Sequence, residues 1–328
     1  MVVEADPGWR LCWCPAWQIG CRAMKILVTG TKGQVVTSLV EAATAMDDIE
    51  LVAVGRPDFD LADPSSVRQT ILAAKPDVVV SSAAYTAVDR AEDERNLAYA
   101  INVMGAAAVA EAAAVLRVPI IHLSTDYVFS GTDPYPYLED DEAEPKTVYG
   151  YTKLRSERAV ASVNPRHVIL RTSWVYSPFG ANFVKTMLRI ATERESVGVV
   201  SDQWGNPTSA LDLATAILLI ATYPARYNTG IYHFTGTGET NWSGFARHVF
   251  DISRAHGGPY ADVEDILSSD YRTRARRPAN SCLSTDKFER VFGWRAPSWQ
   301  ASVETVVRRI IDRDYPNFSS PLHGAHKA

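Results

Sequence analysis

Cysteine is scarce. Of four in 328 residues, Cys12, Cys14 and Cys21 crowd the beginning, and Cys282 is the lone one in the remainder. A disulfide framework is therefore not expected for the body of the chain, which suits a reducing cytoplasm. The early trio has no second C-x-x-C pair and no nearby histidine, so a zinc site is not expected there. No other cluster has metal-ligand spacing. The chain also lacks any run approaching the roughly eighteen consecutive apolar residues a membrane span needs. Positive charge is not in excess: 33 Lys and Arg face 38 Asp and Glu, for a net charge of −5. That balance argues against a nucleic-acid partner, because neutralising phosphates requires concentrated Lys and Arg. Repeats and low-complexity segments are missing as well. What remains is an ordinary globular composition, 46% hydrophobic, with ample material for a core.

Residues 1–23 differ from the rest, with three tryptophans, three cysteines and little periodicity. Asp6, Pro15 and Arg22 interrupt any apolar signal segment. This stretch reads as an extension, either disordered or the product of an upstream start, before a domain that opens at Met24. From there, short β-branched runs alternate with longer helical ones. Strands are expected at Lys25–Thr29, 51–54, 77–81 and 118–124. Helices are expected at 34–46, after the Asp63–Pro64 start signal, and over the Ala-rich 97–116. Continuous apolar strands separated by helices imply a parallel sheet covered on both faces. The fold class is therefore α/β, a Rossmann-like doubly wound parallel sheet with a smaller mixed α/β substrate lobe. The expected division is a dinucleotide-binding domain over 24–175, a mainly substrate-binding lobe over 176–315, and a tail over 316–328.

The first strand runs straight into G-T-K-G-Q-V-V (30–36). Gly30 permits a tight turn and Gly33 a close backbone approach to a pyrophosphate, with Lys32, Gln34 and Val35 around the same turn. A turn without a ligand is the plain alternative. The third glycine of such a fingerprint would fall at Val36, which is expected to push the helix slightly outward. After the second strand stands Gly55–Arg56 rather than a carboxylate, favouring NADPH over NADH through a 2′-phosphate, against an ordinary surface arginine. Asp60 and Leu61 would border the adenine, or form a polar turn. Ala83 and Ala84, after the third strand, leave room for ribose and nicotinamide.

Residues 122–131 read H-L-S-T-D-Y-V-F-S-G, placing Ser124, Thr125 and Asp126 at the mouth of the fourth strand. Tyr149 and Lys153 follow on a helix, four apart and so on one face. An ammonium beside a phenol would lower its pKa towards working pH, so that Tyr149 could exchange a proton with a carbonyl oxygen. Lys153 would also bond the nicotinamide ribose, and Thr125 would hold the carbonyl oxygen. Tyr151, the competing phenol, has no lysine four residues on. His122 reads as a satisfied core histidine and Asn102 as a buried polar bond. Asp89, Arg90 and Glu139–Glu142 read as solvated loop charges.

Six stretches occur in family order: A-A-Y-T-A-V-D (83–89), S-T-D-Y-V-F (124–129), V-Y-G-Y-T-K (148–153), R-T-S-W-V-Y (171–176), D-Q-W-G-N-P-T (202–208) and R-P-A-N-S-C-L (277–283). Through them the run from Met24 to about residue 315 resembles the extended short-chain dehydrogenase/reductases and, more narrowly, the dTDP-4-dehydrorhamnose reductases. The resemblance implies reduction of a dTDP-linked 4-keto-6-deoxy sugar by NADPH, or NADH. It makes Tyr149 the proton donor, Lys153 its electrostatic partner and Thr125 the hydroxyl that orients substrate. It also implies that Thr86, Val88, Ser124, Asp126 and Trp174 line the sugar-nucleotide site. For Trp174 a core aromatic is the alternative. Arg277 would meet a substrate phosphate or serve a structural turn. Some members dimerise through a metal held by glutamates; Ser38 stands at one such position, so a homodimer would use other surfaces. Reduction of a different nucleotide sugar, or a cofactor-binding subunit without turnover, stay open as alternatives.

Overall fold

The computed structural model describes residues 22–223 and 228–318. Cys12, Cys14 and Cys21, with most of the expected extension and most of the tail, lie outside the described residues. The core is a six-stranded parallel sheet made of β1 (Met24–Thr29), β2 (Ile49–Val54), β3 (Val78–Ser81), β4 (Ile120–Thr125), β5 (His167–Thr172) and β6 (Gly230–His233). The spatial order is β2-β1-β3-β4-β5-β6, with every pair parallel. The chain changes direction across the sheet between β1 and β3, which opens a crevice at their C-terminal ends. The Thr29 hydroxyl ties the two ends together by accepting from the Ser82 and Ala83 amides, each at 3.0 Å.

Helices cover both faces because the strands are apolar on both. Ile26, Leu27 and Val28 are all fully buried, yet Ile26 and Val28 belong to one core cluster and Leu27 to the other. On one side lie α1 (Gln34–Thr44) and α6 (Ala210–Thr222). The other side carries α2 (Pro64–Ala74) and α3 (Arg95–Val115), with α4 (Val148–Val163) adding Val160. The expected start of α2 is met: Asp63 caps the Ser65 amide, with Pro64 at the first helical position.

Helix α3 is long and apolar enough to cross a membrane by length and composition, but its alanines pack in the sheet core. A π-turn spans Ala100–Gly105 within it. There Asn102 faces the β3 loop, and Gly105 meets Leu61, whose carbonyl oxygen would lie 2.5 Å from a β-carbon at that position.

The chain does not divide cleanly at residue 175. Helix α6, strand β6 and the helix Asp286–Phe292 all return to the first sheet and its core. The reason is α6 itself, which buries six of its residues and covers α1. The second lobe is built instead from α5 (Phe183–Ile190), α7 (Trp242–Ala255) and α8 (Trp299–Asp314). These pack around Tyr176, Phe245 and Val303. Three short mixed strands, Trp204–Gly205, Thr240–Asn241 and Asn280–Ser281, pair with one another in a small sheet of their own.

Candidate active site

The cofactor end forms where β1 meets α1. Gly30 adopts φ 104°, a conformation that side chains rarely tolerate. Gly33 caps α1 with open space where a β-carbon would point, and no side chain caps that helix start. An uncapped helix N-terminus behind a bare glycine fits an anionic diphosphate. Val36 does not act as expected. It is 2% exposed, takes its place in the core with Leu39, and its methyl would contact a β-carbon on Gly30 at 3.2 Å. The valine fills the space beneath the turn, so it supports the turn.

Lys32 and Arg56 are exposed, and Val35 is half-buried. Gln34 reaches across to the other lobe, donating to the Val175 carbonyl at 3.4 Å and accepting from the Ser177 hydroxyl at 3.0 Å. Asp60 closes its own turn onto the Ala62 amide. Leu61 is 7% exposed and belongs to the core rather than to an open rim. Ala83 and Ala84 are half-buried at the end of β3.

At the catalytic end, the geometry depends on Gly150. A β-carbon there would fall 2.1 Å from the Tyr127 carbonyl oxygen, so only glycine lets α4 sit against the turn after β4. The Thr147 hydroxyl caps the helix by accepting from the Gly150 amide at 3.0 Å. Tyr149 then lies edge-on to Tyr127, ring centroids 5.7 Å apart, with its phenol near the Thr125 hydroxyl. Thr125 donates to Asp126 Oδ1 at 2.8 Å, while the buried Asp126 Oδ2 has no hydrogen-bond partner. Burial raises the Asp126 carboxyl to about 6, against the Ser281 and Thr125 hydroxyls, which hold it down.

The expected lowering of the Tyr149 phenol is overturned. Burial pushes it well above the usual phenol range, and the nearby Asp126 charge adds to this. Lys153 does not reach the phenol. Its ammonium donates to the Leu123 carbonyl at 2.7 Å and lies 3.3 Å from His122 Nε2. Burial brings its pKa down to about 8, with the Glu157 charge opposing.

Ser124 faces away from Thr125. It donates to Glu157, which forms a two-pronged pair with Arg171 at 2.9 and 2.8 Å. Both charged side chains are almost wholly buried. This network escaped the sequence reading, although Glu157 follows Lys153 by one helical turn and Arg171 interrupts an apolar strand. Asn102 is the buried polar bond expected of it. It accepts from the Tyr85 amide at 2.7 Å and donates to the Thr152 hydroxyl at 2.9 Å.

Thr86 is exposed and Val88 half-buried on the loop that Asn102 holds. Asp89 is not a free loop charge: it pairs with Arg277 at 2.9 Å and accepts from the Ala275 amide. Glu139 is also buried, at 8% exposure, accepting from the His233 amide. Arg277 further reaches the Tyr127 hydroxyl at 3.4 Å. It lines a cavity of about 610 Å³ together with Lys146, Arg272, Arg274 and Arg276. Tyr127 and Thr147 line it too, which joins it to the elements that seat Tyr149. Trp174 adopts φ 47° and stacks on Trp242 with centroids 3.6 Å apart. Gly205 lies so close that a β-carbon would sit 2.5 Å from the indole. Ser38 is fully buried and donates to the Gln34 carbonyl, so it cannot bridge two copies through a metal.

A doubly wound frame whose fourth strand ends in Ser-Thr-Asp, followed by tyrosine and lysine one turn apart, defines the extended short-chain dehydrogenase/reductase class of oxidoreductases. Comparison with known proteins narrows this. Residues 24–311 match the family model described as the RmlD substrate binding domain. A dTDP-4-dehydrorhamnose reductase of Sinorhizobium fredii is 50% identical over 292 residues, 88% of this chain and 98% of that protein. The Escherichia coli dTDP-4-dehydrorhamnose reductase is 40% identical over 88% of this chain and 98% of its own length. The crystal structure of the Bacillus anthracis dTDP-4-dehydrorhamnose reductase in complex with NADP superposes with a TM-score of 0.81 at 33% identity, over 87% of this chain and 98% of the other. The chain belongs to the dTDP-4-dehydrorhamnose reductase family.

Proposed function

We propose that this protein reduces the 4-keto group of dTDP-4-dehydro-6-deoxy-L-mannose to the alcohol of dTDP-L-rhamnose, using NADPH, with NADH as the alternative donor. The observation that carries the reading is the seating of Tyr149 against the turn that follows Thr125, its ring 5.7 Å from that of Tyr127, which itself lines an arginine-rich cavity of about 610 Å³. That volume suits a nucleotide sugar, and its arginines suit a diphosphate. Gly30, Gly33 and the uncapped start of α1 would hold the cofactor pyrophosphate, with Lys32, Gln34 and Val35 around the turn. Arg56 would meet a 2′-phosphate, Ala83 and Ala84 would leave room for the ribose, and Asp60 and Leu61 would shape the floor under the adenine side.

When bound, NADPH supplies the hydride. Tyr149 supplies the proton, and the raised phenol pKa serves that direction, because the group stays protonated until oxyanion charge develops beside it. Thr125 orients the carbonyl oxygen, and Lys153 stabilises the phenolate left behind and binds the nicotinamide ribose. Trp174, Thr86, Val88 and Asp126 bound the sugar, and Arg277 exchanges Asp89 for a substrate phosphate. The setting is a reducing cytoplasm, consistent with Cys282, the free cysteine among the described residues, being buried. Val36, seated in the core, gives the alternative of a cofactor-binding subunit without turnover no support. Purified protein given the keto sugar nucleotide should oxidise NADPH, with the rhamnose epimer identified by NMR. Tight cofactor binding without turnover would defeat the proposal.

A further inference from the structure

Lys153 is 3% exposed and His122 1% exposed, so their contact is made in a dry interior. The imidazole joins three elements. On β4 itself, its Nδ1 lies 3.0 Å from Ser81 Oγ of β3, and its Nε2 lies 2.9 Å from Ser156 Oγ and 3.3 Å from the Lys153 ammonium of α4. An ammonium can only donate, so the ring nitrogen facing it must be the bare, accepting one. The Ser156 hydroxyl fits the same state, because its rotatable proton can turn from the Lys153 carbonyl, 2.6 Å away, to donate to the bare Nε2. The ring proton then sits on Nδ1 and goes to Ser81. Among the described residues, the direct acceptors for the ammonium are the Leu123 carbonyl and this imidazole.

We infer that His122 is a positioning residue of the reductase site, which docks the Lys153 ammonium as a neutral imidazole carrying its proton on Nδ1. The inference rests on the reading of Tyr149 and Lys153 as the catalytic pair. The charges facing Lys153 are few. Glu157 lies one turn on in α4, and Arg171 of β5 claims both of its oxygens. Burial, with the Lys153 charge adding, holds His122 well below the usual histidine range, so it stays neutral. The docking places the ammonium one turn along α4 from Tyr149, short of the phenol, ready to swing to a ribose or a phenolate and to return.

The test takes the full chain as wild type, His122→Phe and His122→Gln. Heteronuclear NMR of the wild-type ring should show a pyridine-type Nε2 and a pyrrole-type Nδ1, unchanged from about pH 6 to 8. His122→Phe should lower kcat about tenfold with little change in substrate KM. The alkaline limb of its pH profile should move down by about one unit, because the buried ammonium has lost an acceptor. His122→Gln, whose amide oxygen stands in for Nε2, should recover most of both. A proton on Nε2, an imidazolium, or a Phe variant with wild-type kcat and pH profile would overturn the inference. The tautomer is read without turnover, so the assigned tautomer in a protein without reductase activity defeats the catalytic reading and leaves the docking standing.

Discussion

Ser124 and Thr125 are neighbours at the end of β4, yet they serve two different interiors. Ser124 closes a network in which Glu157 and Arg171 satisfy each other on both oxygens. Thr125 enters a chain that stops short: it donates to Asp126 Oδ1, and the buried Asp126 Oδ2 makes no hydrogen bond of good geometry, with the Ser281 hydroxyl near the carboxylate. Alternation along a strand sends adjacent side chains to opposite faces, so one residue step separates the two. A buried polar group left unsatisfied costs folding free energy, whereas a complete ion-pair network rigidifies its surroundings. The closed network anchors the strand end; the open chain is where a ligand can complete the bonding.

The largest effect is expected on the open side. Tyr149→Phe should cut NADPH-dependent turnover by roughly 10²–10⁴-fold, the usual worth of a positioned proton donor, while melting temperature changes little. Wild-type turnover in that variant would erase the distinction.

On the closed side, removing one partner should strike stability. Glu157→Gln or Arg171→Met is expected to cost about 3–5 kcal/mol, read by denaturant unfolding, because the other charge is left buried. An apolar double substitution should recover much of that loss. If the single variants are as stable as wild type, the network is not the anchor.

Asp126 gives a pH signature of its own. Its folded pKa, about 6, lies above the usual 3.8. The folded state therefore holds its proton more tightly, and stability falls as pH rises from about 4 through 6. Asp126→Asn should flatten that slope and add up to about 3 kcal/mol at neutral pH, while lowering kcat/KM. A slope unchanged by the substitution would show that the carboxyl is satisfied after all. The smallest effect is Ser124→Ala, at about 1 kcal/mol of stability and a smaller change in turnover than Thr125→Val.

Much of this could be read along the chain. Apolar strands and amphipathic helices alternate from Met24 onward, and the structure reproduces each of them with ends shifted by a few residues. Tyr149 and Lys153 share a helix as their spacing requires. The return of α6 and β6 to the first sheet was not readable, because α6 is apolar on nearly every side and periodicity cannot tell which sheet such a helix covers. Gly150 is required by the Tyr127 carbonyl beside it, a contact that the local sequence does not show. The direction of the Tyr149 pKa is hidden from the sequence for a related reason: the burial that dominates it, and the other acceptors that hold the Lys153 ammonium, are set by distant segments.

By itself the sequence determined the order of strands and helices, the glycine turn at 30–33, and the placing of Thr125, Tyr149 and Lys153 at one end of the sheet. These follow from local periodicity and chain direction. The tertiary structure decided which buried groups are satisfied. It turned Ser124 to Glu157, left Asp126 half-bonded, seated Val36 under the turn, and docked Lys153 on His122 and the Leu123 carbonyl. Hydrogen-bond partners, desolvation and charge proximity are relations between distant segments, and no local pattern carries them.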